Sequence, residues 1–315
     1  MVVLGIAAVV PAGAGDMHSH ANPTRDFDAA LARAGSILAA DSAVAAPGGE
    51  SILLSRGSRT PRAVILLHGF SDSPRQFAAL ADSLYVLGDN VFVPRLPHHA
   101  ERGRDARELA RLSAADLCRT ADAAVDVAAG LGDTVVVVGL SVGGTMAAWL
   151  AEHRPEVHRA VIIAPPFEVT HVPAILEKTL VNFSSHVPNV TRRDAPDSTR
   201  PDRDPGFATH GLAQVLKLGM AVRRDAARNV PSRAEVLFLV NAADGTVKTP
   251  PVLDLARFWN DRGVPVSVYE FPDSLGLPHN IVDPIDRRAD ASAVYPTLEA
   301  LAHGERPPAW LRARR

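Results

Sequence analysis

The chain has 315 residues, a formal net charge of −2 and a hydrophobic content of 47%. A chain of this length can bury a large core, either as one domain or as a domain with an insertion. Because acidic and basic residues nearly balance, the sequence offers no electrostatic footprint for nucleic acid, and no nucleic-acid partner is expected.

Residues 1–25 are predicted to form a tail ahead of one folded domain at residues 26–315. The tail begins with an apolar run and an Ala12-Gly13-Ala14 stretch, which favours an exported or envelope-associated protein over a cytoplasmic one, although the basic start of an export signal is missing. The run is shorter than the roughly 20 residues that span a bilayer, so membrane association is expected only through this tail. His18 and His20 are interpreted as part of an unstructured tail, not as metal ligands.

Helical and strand patterns alternate after the tail. Asp26 is a predicted cap for the first helix, and Ser73 with Gln76 is a predicted capping box for the second. The single cysteine, Cys118, is predicted to be a buried thiol in a later helix, and one cysteine excludes an intrachain disulfide. Near-continuous apolar runs suited to buried parallel strands are "RAVILLHG", "NVFVPRLP", "TVVVVGL" and "HRAVIIAPP". The alternation predicts an α/β fold with a mostly parallel central sheet and helices on both faces.

The alternation breaks between about residues 166 and 230, where we predict a helical cap insertion. Its helical patterns are "VTHVPAILEKTLVNF" and "HGLAQVLKLGMAVRRDAARN". Between them, the run of Arg and Asp residues from 192 to 204 is interpreted as a solvated loop. The alternation then resumes with the strand patterns "AEVLFLV" and "VPVSVYEF" and ends in a helix around "ASAVYPTLEALAHG".

Gly139-Leu140-Ser141-Val142-Gly143 lies between a predicted strand and a predicted helix. A G-x-S-x-G spacing in this context indicates a sharp turn that exposes the serine hydroxyl above the carboxyl edge of the sheet. Glycine is needed two positions away on each side because a larger side chain would collide with the strand or the helix. Ser141 is therefore the candidate nucleophile.

A hydroxyl needs a base, and a histidine base needs a carboxylate partner. His279 follows the last predicted strand in a loop, whereas His303 falls in the terminal helix, away from the carboxyl edge. Asp244 follows a buried strand and is the preferred acid. Asp273, six residues before the histidine, is the rival acid.

An oxyanion needs two preorganised donors, predicted here as the backbone N–H groups of Val142 and Phe70. Gly69 lets the backbone bend beside Phe70, and His68 is interpreted as a scaffold residue of that loop. His98 and His99 follow a strand at the same edge and are candidates for the pocket mouth; a metal site there would need more converging ligands. No metal and no organic cofactor is expected.

The motifs "LLHGF", "GLSVGG", "NAADGTV" and "LPHN", in this order, resemble the α/β-hydrolase superfamily from about residue 50 to 302. The branch resembled is that of carboxylesterases and monoacylglycerol lipases. Its members often read P-x-L-P-G-H-G where this chain has "PRLPHHA", so His98 and Ala100 stand at the glycine positions. The resemblance implies a cap over the active site.

The leading hypothesis is a serine hydrolase that cleaves small-molecule carboxylic esters through Ser141, His279 and Asp244. Two alternatives stay open. The first is an amide- or peptide-cleaving hydrolase, which usually needs acidic residues to bind a free amino group; the cap offers Glu168 and Glu177. The second is a binding protein that has kept the fold without the catalysis.

Overall fold

The computed structural model describes residues 17–170, 181, 188–193, 200, 202–286 and 288–314. The strands in these ranges are β1 (Ile52–Leu54), β2 (Thr60–Leu67), β3 (Asn90–Val93), β4 (Gly132–Leu140), β5 (Val157–Ile163), β6 (Thr191–Arg193), β7 (Gly206–Ala208), β8 (Glu235–Asn241), β9 (Val266–Phe271) and β10 (Arg312–Arg314). The helices are α1 (Phe27–Val44), α2 (Ala78–Val86), α3 (Ala114–Leu131), α4 (Val142–His153), α5 (Thr209–Asp225), α6 (Pro250–Asn260) and α7 (Ala291–His303). None of these helices combines the length and the apolar character that a membrane span needs.

The strands form a central sheet in the order β1-β3-β2-β4-β5-β8-β9-β10. The pairings from β3 through β9 are parallel, whereas β1 pairs with β3 and β10 pairs with β9 in antiparallel fashion. The predicted mostly parallel sheet is therefore confirmed. The short edge strand β10 was not predicted, because its three residues, Arg-Ala-Arg, have no apolar strand pattern.

Both faces of the sheet are buried. Along β2, Ala63, Ile65 and Leu67 belong to an apolar cluster that also contains residues of α1, α3, α4, α5 and α6, whereas Val64 and Leu66 belong to a second cluster with residues of α2 and α7. A strand covered on both sides needs apolar residues at consecutive positions, which explains the unbroken apolar runs of β2 and β4. Cys118 is buried in α3, as predicted.

The structure corrects the prediction of an unstructured tail for residues 17–25. This segment lies along α3, where the Ser19 hydroxyl and the His20 N–H donate to Asp122 and the Asn22 N–H donates to Asp126. The two aspartates are themselves held by the buried Arg154. The carboxylate oxygens of Asp122 and Asp126 bind residues 17–25 in place, and the sequence of that segment alone does not indicate these contacts. Residues 1–16, with the predicted export signal, lie outside the described residues.

The predicted capping box at Ser73 is also wrong, although the predicted Asp26 cap of α1 is present. The chain after Ser73 forms a 3₁₀ turn, Pro74–Phe77, before α2 begins. The Gln76 backbone N–H donates to Ser73 O at 3.0 Å, but the Gln76 side chain does not bond back to Ser73. Its Oε1 accepts the Gly69 N–H at 2.7 Å, and its Nε2 donates to Asp72 at 2.9 Å. The Gln76 side chain, which the capping box would have needed, is instead bound to Gly69 and Asp72 in the preceding loop.

Part of the predicted cap insertion is described. The helix predicted from "HGLAQVLKLGMAVRRDAARN" is confirmed as α5, and β6 pairs with β7 in a small antiparallel sheet. The helix predicted from "VTHVPAILEKTLVNF" lies largely outside the described residues, as does Glu177. The boundaries at about 166 and 230 stay predictions.

Candidate active site

Ser141 lies at the junction of β4 and α4, at the carboxyl edge of the sheet. Its backbone has φ 57° and ψ −119°, a region that residues other than glycine rarely adopt. Its N–H is nevertheless held, because it donates to Ile163 O at 2.9 Å. A residue whose strained backbone is held in place by the surrounding structure is typical of functional turns.

The glycines beside Ser141 are required by close backbone packing. A Cβ atom at Gly139 would lie 2.1 Å from Gly143 O, and one at Gly143 would lie 1.9 Å from Leu67 O. Both distances are far below van der Waals contact, so the strand, the turn and α4 can pack together only with glycine at these positions. The steric reason given for the G-x-S-x-G spacing is therefore present in the structure.

His279 and Asp244 are brought together from two separate loops. Nδ1 of His279 lies 2.7 Å from Oδ2 of Asp244, whose side chain is 3% exposed. The other carboxylate oxygen of Asp244 accepts the N–H groups of Thr246 and Val247. A carboxylate bonded to Nδ1 fixes the tautomer of the ring and leaves Nε2 as the basic nitrogen.

The other acid and the other histidine lie elsewhere. Asp273 is exposed in a 3₁₀ turn that follows β9. His303 bonds through Nε2 to Asp89 at 2.7 Å, next to the first residue of β3 and thus at the amino edge of the sheet. The expectation that His303 lies away from the carboxyl edge is confirmed.

Asn241, the last residue of β8, has a role that the sequence analysis missed. Its Nδ2 donates to Leu277 O at 2.9 Å and to Pro278 O at 3.1 Å. The side chain thus ties the segment immediately before His279 to the strand that leads to Asp244. An amide at the end of an apolar strand was the available signal, since a buried amide needs several partners.

The loop after β2 lies directly beside Ser141. A Cβ atom at Gly69 would be 3.7 Å from the Cβ of Ser141. The Gly69 N–H is already bonded to Gln76, whereas the N–H groups of Phe70 and Val142 donate no hydrogen bond to any described residue. These two N–H groups, at the start of α4 and on the adjacent loop, can together donate hydrogen bonds to a negatively charged oxygen.

His68 holds this loop through both ring nitrogens. Nε2 accepts the Leu96 N–H at 3.0 Å, so Nδ1 carries the proton and donates to Gly69 O at 2.9 Å. Burial holds the pKa of His68 well below its usual value, and the ring is therefore neutral. These contacts are those of a scaffold residue.

The loop carrying His98 and His99 keeps a glycine-like backbone without glycine. His98 has φ 62° and Ala100 has φ 52°, at the two positions where the resembled branch often has glycine. His99 is fully buried, its ring 5.4 Å from those of His68 and Phe70. Burial lowers the pKa of His99 to about 4. His98 is partly exposed.

One group of possible metal ligands converges among the described residues. His98, Glu101 and Glu108 each bring a ligand atom within 4.8 Å of the others, and all three are partly exposed. Arg111 lies 2.8 Å from Glu108 and neutralises part of the charge that would hold a cation. The two glutamates were not connected to His98 by the sequence analysis, because their positions along the loop show no fixed ligand spacing.

Comparison with known proteins agrees with this geometry. A model of the alpha/beta hydrolase family matches residues 64–314. The chain belongs to this family. A thermostable monoacylglycerol lipase of Bacillus sp. (strain H-257) is 31% identical over 115 residues, which are 36% of this hydrolase and 44% of the lipase, so less than half of the relative is matched.

Solved structures of other family members show the same fold. A monoacylglycerol lipase of Paleococcus ferrophilus has a TM-score of 0.59 at 18% identity and covers 80% of this hydrolase and 98% of its own chain. A metagenome-derived lipolytic enzyme has a TM-score of 0.59 at 19% identity and covers 77% and 94% of the two chains. The resemblance to the α/β-hydrolase family that was inferred from the motifs is confirmed by the family match, and these structures agree with it in fold.

Proposed function

We propose that this hydrolase cleaves carboxylic esters, with Ser141 as nucleophile, His279 as general base and Asp244 as the partner of the histidine. The observation that carries the proposal is the 2.7 Å hydrogen bond between His279 and Asp244, in two loops at the same edge of the sheet as Ser141. The fold does not require an imidazole bound to a carboxylate and a strained serine turn to lie at the same edge of the sheet. Their presence at one edge is what acyl transfer requires.

In the first step, Oγ of Ser141 attacks the ester carbonyl carbon while Nε2 of His279 takes the hydroxyl proton. The bond from oxygen to carbon forms, and the carbonyl electron pair moves to its oxygen. The N–H groups of Phe70 and Val142 donate to this oxyanion. Asp244 stays ionised and stabilises the imidazolium.

In the second step, the carbonyl re-forms and the bond to the leaving alkoxide breaks. His279 returns its proton to that oxygen, which leaves an alcohol and an acyl group on Ser141. His279 then takes a proton from a water molecule as the water oxygen attacks the acyl carbon. The bond between the acyl carbon and Oγ of Ser141 breaks, His279 returns the proton to Oγ, and the carboxylic acid leaves. Every proton is carried by His279, so this route uses no metal and no cofactor.

The substrate proposed is a small-molecule ester with an apolar acyl group. The names of the relatives, monoacylglycerol lipases and a lipolytic enzyme, support this class. The amide-cleaving alternative is less well supported, because Glu168 is paired with Arg223 at 3.2 Å and with Lys248 at 3.3 Å. A carboxylate engaged by two cations is a poor site for a free amino group.

The test is turnover of p-nitrophenyl esters of increasing acyl length, together with labelling by a fluorophosphonate probe. The wild type is expected to hydrolyse the esters and to be labelled at one serine, and Ser141→Ala is expected to lose both properties. Ser36→Ala removes an exposed hydroxyl on α1 and serves as the matched control. Circular dichroism checks that both variants are folded.

Other results would decide against the proposal. If Ser141→Ala were still labelled and still hydrolysed esters, Ser141 would not be the nucleophile. Wild-type protein that neither turns over nor is labelled would favour the binding-protein alternative. Faster cleavage of amino-acid p-nitroanilides than of esters would favour the amide-cleaving alternative.

A further inference from the structure

The predicted solvated loop at 192–204 contains a buried group of charges, which corrects that prediction. Arg200, Asp202 and Asp204 are 3%, 0% and 4% exposed. Charged residues are almost never buried this completely unless they are paired. Partners outside the loop must therefore explain their burial.

Arg200 joins three segments of the chain through one guanidinium group. Nη2 bonds to Asp72, in the loop after β2, and Nη1 bonds to Asp283, in the loop after β9. Nη2 and Nε also contact Asp202, in its own segment, at 2.9 and 3.2 Å. Asp72 and Asp283 are 2% and 3% exposed, so these contacts are shielded from water.

The first branch leads from Arg200 to the Phe70 amide. Asp72 accepts from Arg200 through Oδ1 and from the Gln76 Nε2 through Oδ2, at 2.9 Å for the latter. Gln76 in turn accepts the Gly69 N–H at 2.7 Å. A shift of Asp72 would therefore be passed on to the peptide that precedes the Phe70 N–H.

The second branch leads to His279. Asp283 follows His279 by four positions, and the Ile281 N–H donates to His279 O at 3.1 Å, which makes the segment a tight turn. Asp283 also accepts the Ile285 N–H at 3.0 Å. The guanidinium is thus fixed to a short, ordered piece of backbone that begins at the histidine.

We propose that Arg200 is a positioning residue, whose planar guanidinium holds the loop of Phe70 and the loop of His279 at the separation that acyl transfer needs. This inference rests on the ester-hydrolase function proposed above. A planar guanidinium has several N–H donors in fixed directions, so it can bind two carboxylates on different sides at once. A lysine ammonium group is a single point charge and cannot fix their separation in this way. Arg200 lies between β6 and β7, so the proposal gives a residue outside the central sheet a part in aligning the site.

The test compares Arg200→Lys with Arg154→Lys. Arg154 is a matched control because it is also fully buried and also bound to three carboxylates, those of Asp122, Asp126 and Glu156, but at the far end of α4. Each protein is titrated with a fluorophosphonate to count active sites, and kcat for a p-nitrophenyl ester is expressed per labelled site. Tm is measured in parallel.

Both variants are expected to lose stability, but only Arg200→Lys is expected to lose kcat per labelled site, by on the order of 10–100-fold, with a smaller change in KM. A purely structural role would lower Tm and the labelled fraction without changing kcat per site. Unchanged kcat per site in Arg200→Lys would therefore overturn the proposal. Wild type that shows neither labelling nor turnover would overturn it as well, together with the function on which it rests.

If Arg200→Lys does not fold, Asp283→Asn decides the question. This change removes one charge at the end of one branch and leaves the contacts of Arg200 with Asp72 and Asp202 in place. A several-fold fall in kcat per labelled site, with retained Tm, is the expected result. Unchanged kcat per site would show that the branch to His279 has no part in alignment.

Discussion

Nδ1 of His279 lies 2.7 Å from Oδ2 of Asp244, although the two residues are 35 positions apart in the chain. The contact spans two adjacent parallel strands, because Asp244 follows β8 and His279 follows β9. Asn241 reinforces it by tying the histidine loop to β8. A pair supported in this way already has the fixed geometry that the proposed mechanism requires of it.

Replacing the carboxylate should separate the two candidate acids. Asp244→Asn is expected to lower kcat for a p-nitrophenyl ester by about 10³–10⁴-fold, because the amide can no longer hold the ring in the required tautomer. Asp273→Asn alters an exposed acid and is expected to leave kcat unchanged. Steady-state kinetics of the two variants measure the difference. Loss of activity in Asp273→Asn alone would reverse the assignment.

Two glycine-to-alanine changes should have opposite effects on stability. Gly143→Ala introduces a Cβ 1.9 Å from Leu67 O, and the resulting backbone shift is expected to cost about 3 kcal/mol or more. Gly35→Ala, in α1, meets nothing within 4 Å and is expected to stabilise the protein by about 0.5–1 kcal/mol. Urea unfolding gives both values. A Gly143→Ala protein as stable as wild type would contradict the packing described for the Ser141 turn.

Glu152 should make stability fall as pH rises. Its side chain is fully buried, neither carboxylate oxygen has a hydrogen-bond partner among the described residues, and burial raises its pKa to about 10 from 4.5. The folded state therefore binds a proton that the unfolded state releases above about pH 4.5, so stability is lost progressively from there to about pH 10.

Glu152→Gln keeps the shape and removes this proton. The variant is expected to match wild type near pH 4 and to be more stable at pH 8, by an amount on the order of a few kcal/mol. The free energy of unfolding in urea at the two pH values measures the effect. Glu305→Gln, at an exposed position, is the control and should show no such difference. Equal stability of Glu152→Gln and wild type at pH 8 would mean that the carboxyl is ionised without cost.

Removal of metals should leave ester turnover unchanged, because the proposed proton transfers use only His279. Dialysis against EDTA followed by assay tests this. The group His98, Glu101 and Glu108 is the described place where a cation would act, so His98→Gln is assayed in parallel. Activity that EDTA abolishes in wild type, and that His98→Gln also lacks, would call for a metal in the mechanism.

Features with a local signature were predictable from the sequence. The Ser141 turn needs glycines at fixed distances between a strand and a helix, and this combination is visible without any knowledge of the partners. Asp244 and His279 were predicted as partners because each lies in the loop that follows a strand, and parallel strands deliver their carboxyl ends to one edge. The sheet itself was predictable because unbroken apolar runs indicate strands that are buried on both faces.

Features that depend on a distant partner were not predictable. Arg200 and Asp202 look like members of a solvated polar loop, but they are buried against partners far away in the chain: Asp72 and Asp283 for Arg200, and Ser73 for Asp202. Gln76 matched a capping box locally but is bound to Gly69. Residues 17–25 have no apolar pattern, and their position depends on the two aspartates of α3. In each case a hydrogen bond between remote residues outweighs the local preference.

The contacts of residues 17–25 with the folded domain determine how far the start of the described chain lies from Ser141. Met17 and His18 line a cavity with Trp149 and His153, in the last turns of α4, whereas Ser141 precedes the first turn of the same helix. A helix of 12 residues separates these ends by about 18 Å. The point at which the described chain begins is therefore about one helix length away from Ser141, so a tag or dye attached at Met17 or His18 would lie well apart from the candidate nucleophile.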